Sequence, residues 1–438
     1  MSIPSNARNA NGKGLLGDLT AILSRLTGRQ VSLFQADVDA NDAAIRTRIA
    51  GKRILVTGAA GSIGAATVKQ LLRYGPARLD AIDLSENTMV ELVRDIHSRA
   101  DLDVGGALRT SIVDFGSALG ERFIEQVGPF DLVLHFAAMK HVRSERDIFS
   151  LSRMVQTNVL EVDRFLDAIK RHGPCDVFAI SSDKACRPGN LMGACKRLME
   201  EVVFWHADHA GSLLGRGESG EVTSPGPVLP RVACTRFANV AFSDGSLLAG
   251  YFHRIRKRQP LAGPSDVRRY FITEDEAGQL CLLAAALAES KEIFVPQLDP
   301  SVDLKGFDEI AEIVLDACGY RPRWYDWDDQ ARQAVGRDLA EGHYPCCFAS
   351  SDTSGEKQVE EFVAPDETLA PSRFSAVDVI ADSPVVGPAT LTEVLAGLSS
   401  EVARPDPVNS KARVVELVAR AVPHLQHVET GRSLDEKM

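Results

Sequence analysis

The sequence predicts an α/β protein built on a doubly wound parallel sheet, and three observations carry that expectation. From Lys52 onward, short apolar runs alternate with amphipathic stretches, as strands and helices do when they take turns in a parallel sheet. A glycine-rich loop, Thr57-Gly58-Ala59-Ala60-Gly61-Ser62-Ile63-Gly64, lies between the first such strand and the first helix. An acidic residue, Asp83, closes the second strand about twenty positions after the loop.

The elements follow in order. Residues 1–50 form a helical N-terminal extension, because Leu15-Leu16 through Leu26 repeats with helical period. Arg53 to Thr57 is a strand and Ala65 to Tyr74 a helix; Leu79 to Asp83 is a second strand and Asn87 to Ser98 a second helix. Phe130 to Phe136 and Val177 to Ile180 are buried strands, and Val232 to Phe237 resumes the pattern after a Gly-, Ser- and Pro-rich excursion at 210–229. Residues 51–239 thus read as a Rossmann domain, 240–380 as a smaller mixed lobe of helix and loop, and 381–438 as a helical tail. Leu391 to Leu398 and Ala412 to Val422 are its helices, with a frayed end beyond them.

Bulk properties narrow the function classes. A chain of 438 residues is long enough for two or three domains with their own cores. Its formal net charge of -11 argues against general nucleic-acid binding. The longest apolar run, Leu280 to Ala288, is too short to span a bilayer, and Asn, Gly and Lys precede any apolar segment, so neither an integral membrane segment nor a secretory leader is expected. The eight cysteines are scattered without a paired framework, the usage of reduced cytoplasmic thiols. His343 with Cys346-Cys347 invites a metal reading, but adjacent cysteines chelate poorly and no second cluster completes four ligands; no metal is expected.

The loop and Asp83 point to a dinucleotide. Gly58, Gly61 and Gly64 permit a tight turn and close backbone approach to a pyrophosphate, which then lies at a helix N-terminus beside Ser62 and Ile63. Asp83 can accept hydrogen bonds from the adenosine ribose and repels a 2′-phosphate; no arginine immediately follows it, so NAD is favoured over NADP. Asp114 either meets the adenine edge or is a turn carboxylate.

At the end of the strand closing with Ile180 stands Ser181-Ser182-Asp183-Lys184, followed by Met192-Gly193-Ala194-Cys195-Lys196 on a helix. A hydroxyl, a carboxylate and an amine therefore gather at a strand end, and one helical turn puts Met192 and Lys196 on the same face. In isolation Asp183 reads as a turn cap and Lys184 as a solvated lysine; placement beside a dinucleotide loop favours proton-transfer and binding roles.

Together these blocks resemble the extended short-chain dehydrogenase/reductase superfamily and, within it, the large nucleotide-sugar 4,6-dehydratases of polysaccharide biosynthesis that act on UDP-N-acetylglucosamine. The resemblance covers roughly residues 25–320. It runs from Leu26 to Val31 and Ile49 to Lys52 through Leu84-Ser85-Glu86, Phe136-Ala137-Ala138-Met139-Lys140-His141-Val142 with Glu145, and Thr157-Asn158-Val159. It continues through Ser182-Asp183-Lys184-Ala185, Pro188, Asn190, Met192-Gly193-Ala194 and Lys196-Arg197, and closes with Arg236 to Val240, Gly245-Ser246 and Arg269 to Thr273. Ser182 replaces a more usual Thr and Ala238 a more usual Gly. Met192 stands where an ordinary reductase of this superfamily carries its acid/base tyrosine, and is itself a feature of the large dehydratases. Those large members carry an N-terminal transmembrane region, which is not expected here. The excursion at 210–229 and the segment 352–362 fall outside the common pattern.

The resemblance implies NAD as cofactor, a UDP-sugar as substrate and self-association as a homo-oligomer. It implies Lys184 as base at C5, Asp183 as acid for the departing water, Lys196 on the nicotinamide ribose, Ser182 at the 4-hydroxyl and Met192 as packing. Lys184 must then be neutral and Asp183 protonated, with pKa values moved accordingly. Ser85, Ala137, Ala138, Lys140 and Asn158 join the cofactor set; Met139, Lys140, His141, Asn239, Ser246 and Arg269 join the substrate set, Arg269 through a bidentate phosphate contact. His141 reads as structural before it reads as catalytic, and Arg254, Arg256, Lys257 and Arg258 as a solvated helix face before a diphosphate site. A UDP-sugar 4-epimerase and a non-catalytic dinucleotide-binding scaffold are the competing functions; Met192 counts against the first, and Asp183, Lys184 and Lys196 together against the second.

Overall fold

The structure, a computed structural model, describes residues 19–102, 104–215, 227–351 and 357–427. Its strands are β1 Arg53–Thr57, β2 Arg78–Asp83, β3 Leu108–Ile112, β4 Leu132–His135, β5 Asp176–Ile180, β6 Val232–Thr235, β7 Asn239–Val240, β8 Leu261–Pro264, β9 Arg268–Ile272, β10 Glu292–Pro296, β11 Leu304–Gly306, β12 Arg321–Trp324, β13 His343–Ala349, β14 Thr368–Leu369 and β15 Val377–Asp382. Nine form one sheet in the order β14-β15-β10-β6-β5-β4-β1-β2-β3. β3 through β10 run parallel, and β15 joins antiparallel to β10. The expected doubly wound sheet is present. Its central strands are apolar on both faces because helices cover both. Strand order reverses between β1 and β4, and a crevice opens there beyond the carboxyl ends of the strands.

The expected boundary near 240 is redrawn by this topology. β10, β15 and the helix Glu274–Leu287, which lies on Ser62–Leu72, all return to the main layer from within 240–380. Apolar runs such as Ile293-Phe294-Val295, wholly buried, can be covered only inside a large sheet. The smaller lobe keeps the parallel sheet β12-β13-β8 and the helices Leu247–Lys257, Phe307–Ala317 and Asp328–Ala340. The N-terminal extension is helical from Leu19, as expected: Leu19–Thr27 packs on the lobe, and Asp42–Ile49 on the main layer. The expected start at Leu15 and most of the 210–229 excursion lie outside the described residues.

The two tail helices, Pro388–Ala403 and Ser410–Ala421, are part of the main core. Leu391, Leu395, Leu398, Leu417 and Val418 are buried against Ile148–Val155 and the helix Leu191–Asp208 that carries Met192 and Lys196. Beneath that helix Arg236, wholly buried, forms paired contacts with Glu200 at 2.9 and 2.8 Å and with Glu367 at 2.7 Å.

Candidate active site

The crevice encloses about 570 Å³ and runs from the glycine loop to the Asp183-Lys184 turn. At its dinucleotide end, Gly58 has φ +67°, and a Cβ there would sit 2.5 Å from the Ala137 amide nitrogen. Only glycine lets the loop lie against the strand end after β4. Gly61, Ser62, Ile63 and Gly64 line the crevice and begin a helix. Asp83 accepts hydrogen bonds from the amides of Ala60 and Ser85, both at 3.0 Å, which fixes the carboxylate at the crevice wall. Asp114 also lines the crevice; Arg153 at 3.1 Å and the Gly116 amide at 3.0 Å hold it. The cradle therefore fits a dinucleotide, with an acidic wall where a ribose would lie. Buried Thr157 Oγ1, also on this wall and without a hydrogen-bond partner among the described residues, offers one more polar contact.

Two expected cofactor residues have other positions. Ser85 caps the helix Glu86–Ser98 by accepting from the Thr88 amide, so its hydroxyl is used at the helix end rather than on the crevice lining. Asn158 is buried, donates to the Met139 carbonyl and accepts from the Met139 amide, both at 2.8 Å. It sits on a single π-turn, Gln156–Leu160, between two helices. Asn158 thus shapes the strand-end segment whose Ala137, Ala138, Met139, Lys140 and His141 do line the crevice. Lys140 donates to the Asp244 carbonyl at 2.7 Å. Burial, and then Lys140 and Arg143, lower the pKa of His141.

At the other end, β5 delivers Ser182, Asp183 and Lys184 into the crevice. Ser182 Oγ donates to Asp183 Oδ1 at 2.7 Å and accepts from the Lys184 amide at 3.1 Å. Lys184 Nζ also donates to Asp183 Oδ1, at 3.1 Å. Burial alone would lower the Lys184 pKa, but the carboxylates of Asp183 and Glu360 together outweigh it and raise it. This corrects the expected depression: the amine is held as an ammonium.

The helix Leu191–Asp208 presents Met192 and Lys196 to the same space. A Cβ on Gly193 would lie 2.3 Å from the Lys184 carbonyl, so glycine is what allows the helix to approach the Asp183-Lys184 turn. Met192 is buried, and its amide donates to Glu145 Oε1 at 3.0 Å. Lys196 Nζ donates to the Ile180 carbonyl at 3.0 Å, and burial lowers its pKa to about 8.

Asn239 and Ser246 line the crevice on the lobe side, Ser246 also capping Leu247–Lys257. Arg269 does not line it. Its guanidinium is buried and donates to the carbonyls of Lys357 and Gln358 at 2.8 and 3.1 Å, with Glu360 at 3.8 Å. A buried arginine must fill its donors, and the segment after 356 fills them. The expected phosphate contact is therefore replaced by an internal clamp. Glu360, which sequence reasoning did not single out, is buried 3.7 Å from Lys184. No local pattern marks it, because a Glu in a loop 176 positions from Lys184 meets it only through the fold.

Fold and crevice define a dinucleotide-binding α/β protein of the extended short-chain dehydrogenase/reductase kind. A model of the polysaccharide biosynthesis protein family matches residues 54–377, and the chain belongs to that family. It is 32% identical to an uncharacterized membrane protein of Methanocaldococcus jannaschii over 62% of this chain and 74% of that one. It is 28% identical to the probable polysaccharide biosynthesis protein EpsC of Bacillus subtilis, over 70% of this chain but only 47% of the relative. A UDP-N-acetylglucosamine 4,6-dehydratase (inverting) of Campylobacter jejuni is 27% identical over 58% of this chain and 69% of the relative. Among solved structures, Pen from Bacillus thuringiensis shares the fold with a TM-score of 0.58 at 19% identity, covering 80% of this chain and 98% of that one. No helix among the described residues is long and apolar enough to cross a membrane.

Proposed function

We propose that the protein is an NAD-dependent nucleotide-sugar 4,6-dehydratase whose substrate is a UDP-N-acetylhexosamine, UDP-N-acetylglucosamine first. The observation that carries this reading is the Asp183–Lys184 pair, 3.1 Å apart, in the same crevice as Lys196 and a glycine-loop cradle. Similarity to the Campylobacter jejuni dehydratase supports it. Bound NAD would supply hydride removal at C4 and hydride return at C6. The chain's own groups do the rest. Asp83 holds the adenosine ribose and Lys196 the nicotinamide ribose, bringing positive charge to the 4-hydroxyl; Ser182 hydrogen-bonds that hydroxyl. Lys184 takes the C5 proton made acidic by the 4-ketone, and Asp183 protonates the departing 6-hydroxyl. Asn239 and Ser246 contact the nucleotide part, and Met192 packs against the sugar.

A 4-epimerase is the second reading, because a UDP-glucose 4-epimerase of Rickettsia prowazekii is 26% identical over 69% of this chain. It needs no acid/base pair at C5 and C6, and Met192 cannot serve as its proton carrier. Mass spectrometry of the product from UDP-N-acetylglucosamine separates them: loss of water supports dehydration, and an isomer of unchanged mass overturns it. Asp183→Asn keeps size and hydrogen bonding but donates no carboxylic proton. It slows elimination by ~10²–10⁴-fold while C4 oxidation, followed by the near-ultraviolet absorbance of reduced nicotinamide, survives.

A further inference from the structure

A base at C5 must be an unprotonated amine, yet the site holds Lys184 as an ammonium. Something must take its proton before it can take another. Asp183 is already committed, since in the elimination it carries the proton that leaves with the 6-hydroxyl, and its Oδ1 accepts from Ser182 Oγ and from Lys184 Nζ. Glu360 is differently placed. Its Oε1 lies 3.7 Å from Lys184 Nζ, and its buried Oε2, 4.0 Å from Lys357 Nζ, accepts no hydrogen bond from the described residues.

The carboxyl is also firmly located. Arg269 donates to the carbonyls of Lys357 and Gln358, and Lys357 Nζ to the Cys186 carbonyl at 2.8 Å. Arg187 Nε donates to Glu361 at 2.9 Å. The loop is thus bound on both sides of Glu360 to the turn that bears Asp183 and Lys184. Among the described residues, the charged groups facing Glu360 are Asp183 and Lys184 from that turn, Arg269 from β9, and Lys357 from its own segment. Burial and then the Asp183 carboxylate raise its pKa, against the opposing pull of the three cations.

We propose that Glu360 is a positioning residue for elimination, accepting the Lys184 proton so that Nζ presents a lone pair to C5. The step balances within the chain: an N–H bond at Nζ breaks, an O–H bond at Glu360 forms, and the two charges cancel. About 0.8 Å of movement brings the two atoms to hydrogen-bond distance. A sugar seated over Lys184 removes water from the pair, which favours the neutral amine and acid over two ions. The C5 proton then rides on Lys184 and is available for return.

This inference rests on the dehydratase reading, and its test reads the two separately. Glu360→Gln keeps the shape but accepts no proton. We expect kcat for dehydration of UDP-N-acetylglucosamine to fall about 10- to 100-fold, with KM and C4 oxidation retained. Glu360→Asp should recover part of that loss and stands in if the Gln variant does not fold. Without substrate, trace acetylation of Lys184 against pH, located by peptide mass spectrometry, should show its midpoint about one unit or more lower in Glu360→Gln. An unmoved midpoint overturns the coupling. Full maximal rate in Glu360→Gln, with the ascending limb of the pH profile merely displaced to lower pH, overturns proton acceptance. If the native enzyme releases no water from UDP-N-acetylglucosamine while the midpoint still moves, the dehydratase reading fails and the Glu360–Lys184 coupling stands.

Discussion

The two ends of the crevice are assembled in different ways. The dinucleotide end is local: Gly58, Ser62 and Asp83 lie within two strands and one helix, and Asp83 is held by amides of Ala60 and Ser85 close by in the chain. The Asp183-Lys184 end is a convergence. Lys184 follows β5, Arg269 lies on β9, Glu360 comes from a loop, and the tail helices brace the helix carrying Lys196. A local site survives changes elsewhere in the chain, whereas a convergent one depends on every segment that reaches it.

The largest expected effect tests that dependence. Arg236→Met takes from buried Glu200 and Glu367 the guanidinium they share and leaves Arg197, at 2.9 and 3.7 Å, as their remaining cation, at a cost toward the lower end of about 3–5 kcal/mol. Denaturant unfolding should show the loss, and turnover should fall with it more than NAD binding does; equal losses at both ends would break the comparison. Gly58→Ala attacks the other end. Positive φ and the clash with Ala137 should weaken NAD binding more than ~10-fold, about 1–2 kcal/mol from the backbone alone. Stability should change less than in the Arg236 variant, and calorimetry with thermal melting reads both.

A smaller effect concerns pH. Lys196 has a pKa lowered to about 8, so its ammonium is present below that value and lost above it. C4 oxidation should therefore decline as pH rises through about 8, measured by the absorbance of reduced nicotinamide in Asp183→Asn, where elimination does not drain the signal. A flat profile from pH 7 to pH 9, on the order of one unit either side of that pKa, removes the charge role of Lys196. Asp83→Ala should narrow the preference for NAD over NADP. The smallest effect belongs to Ser85→Ala: about 0.5–2 kcal/mol of stability from the lost helix cap, with NAD affinity unchanged. Weaker NAD binding in that variant would return Ser85 to the cofactor set.

The same contrast explains what the sequence disclosed. The parallel sheet was legible because alternation and the glycine loop are short-range patterns, whereas the order of its nine strands is set by the fold. Asp83 and the Ser182-Asp183-Lys184 turn were legible because chemistry and strand end coincide. The role of Asn158 was not, since a π-turn that aims it at Met139 leaves no periodic trace. Arg269 reads as a phosphate ligand until the carbonyls of Lys357 and Gln358 are seen to occupy it. Return of β10 and β15 to the main sheet is likewise a matter of which apolar run finds which neighbour, not of either run alone.

Glu145 accepts the Met192 amide on one oxygen and meets His427 Nε2 at 3.3 Å on the other, while the Gln426 amide donates to the Pro188 carbonyl at 2.9 Å. Met192 N–H is therefore a clock on the far end of the chain. In deuterated solvent its exchange should quicken when the contacts of Gln426 and His427 are released, even with every crevice side chain unaltered, and a label fused after residue 427 would be read out at the helix Leu191–Asp208.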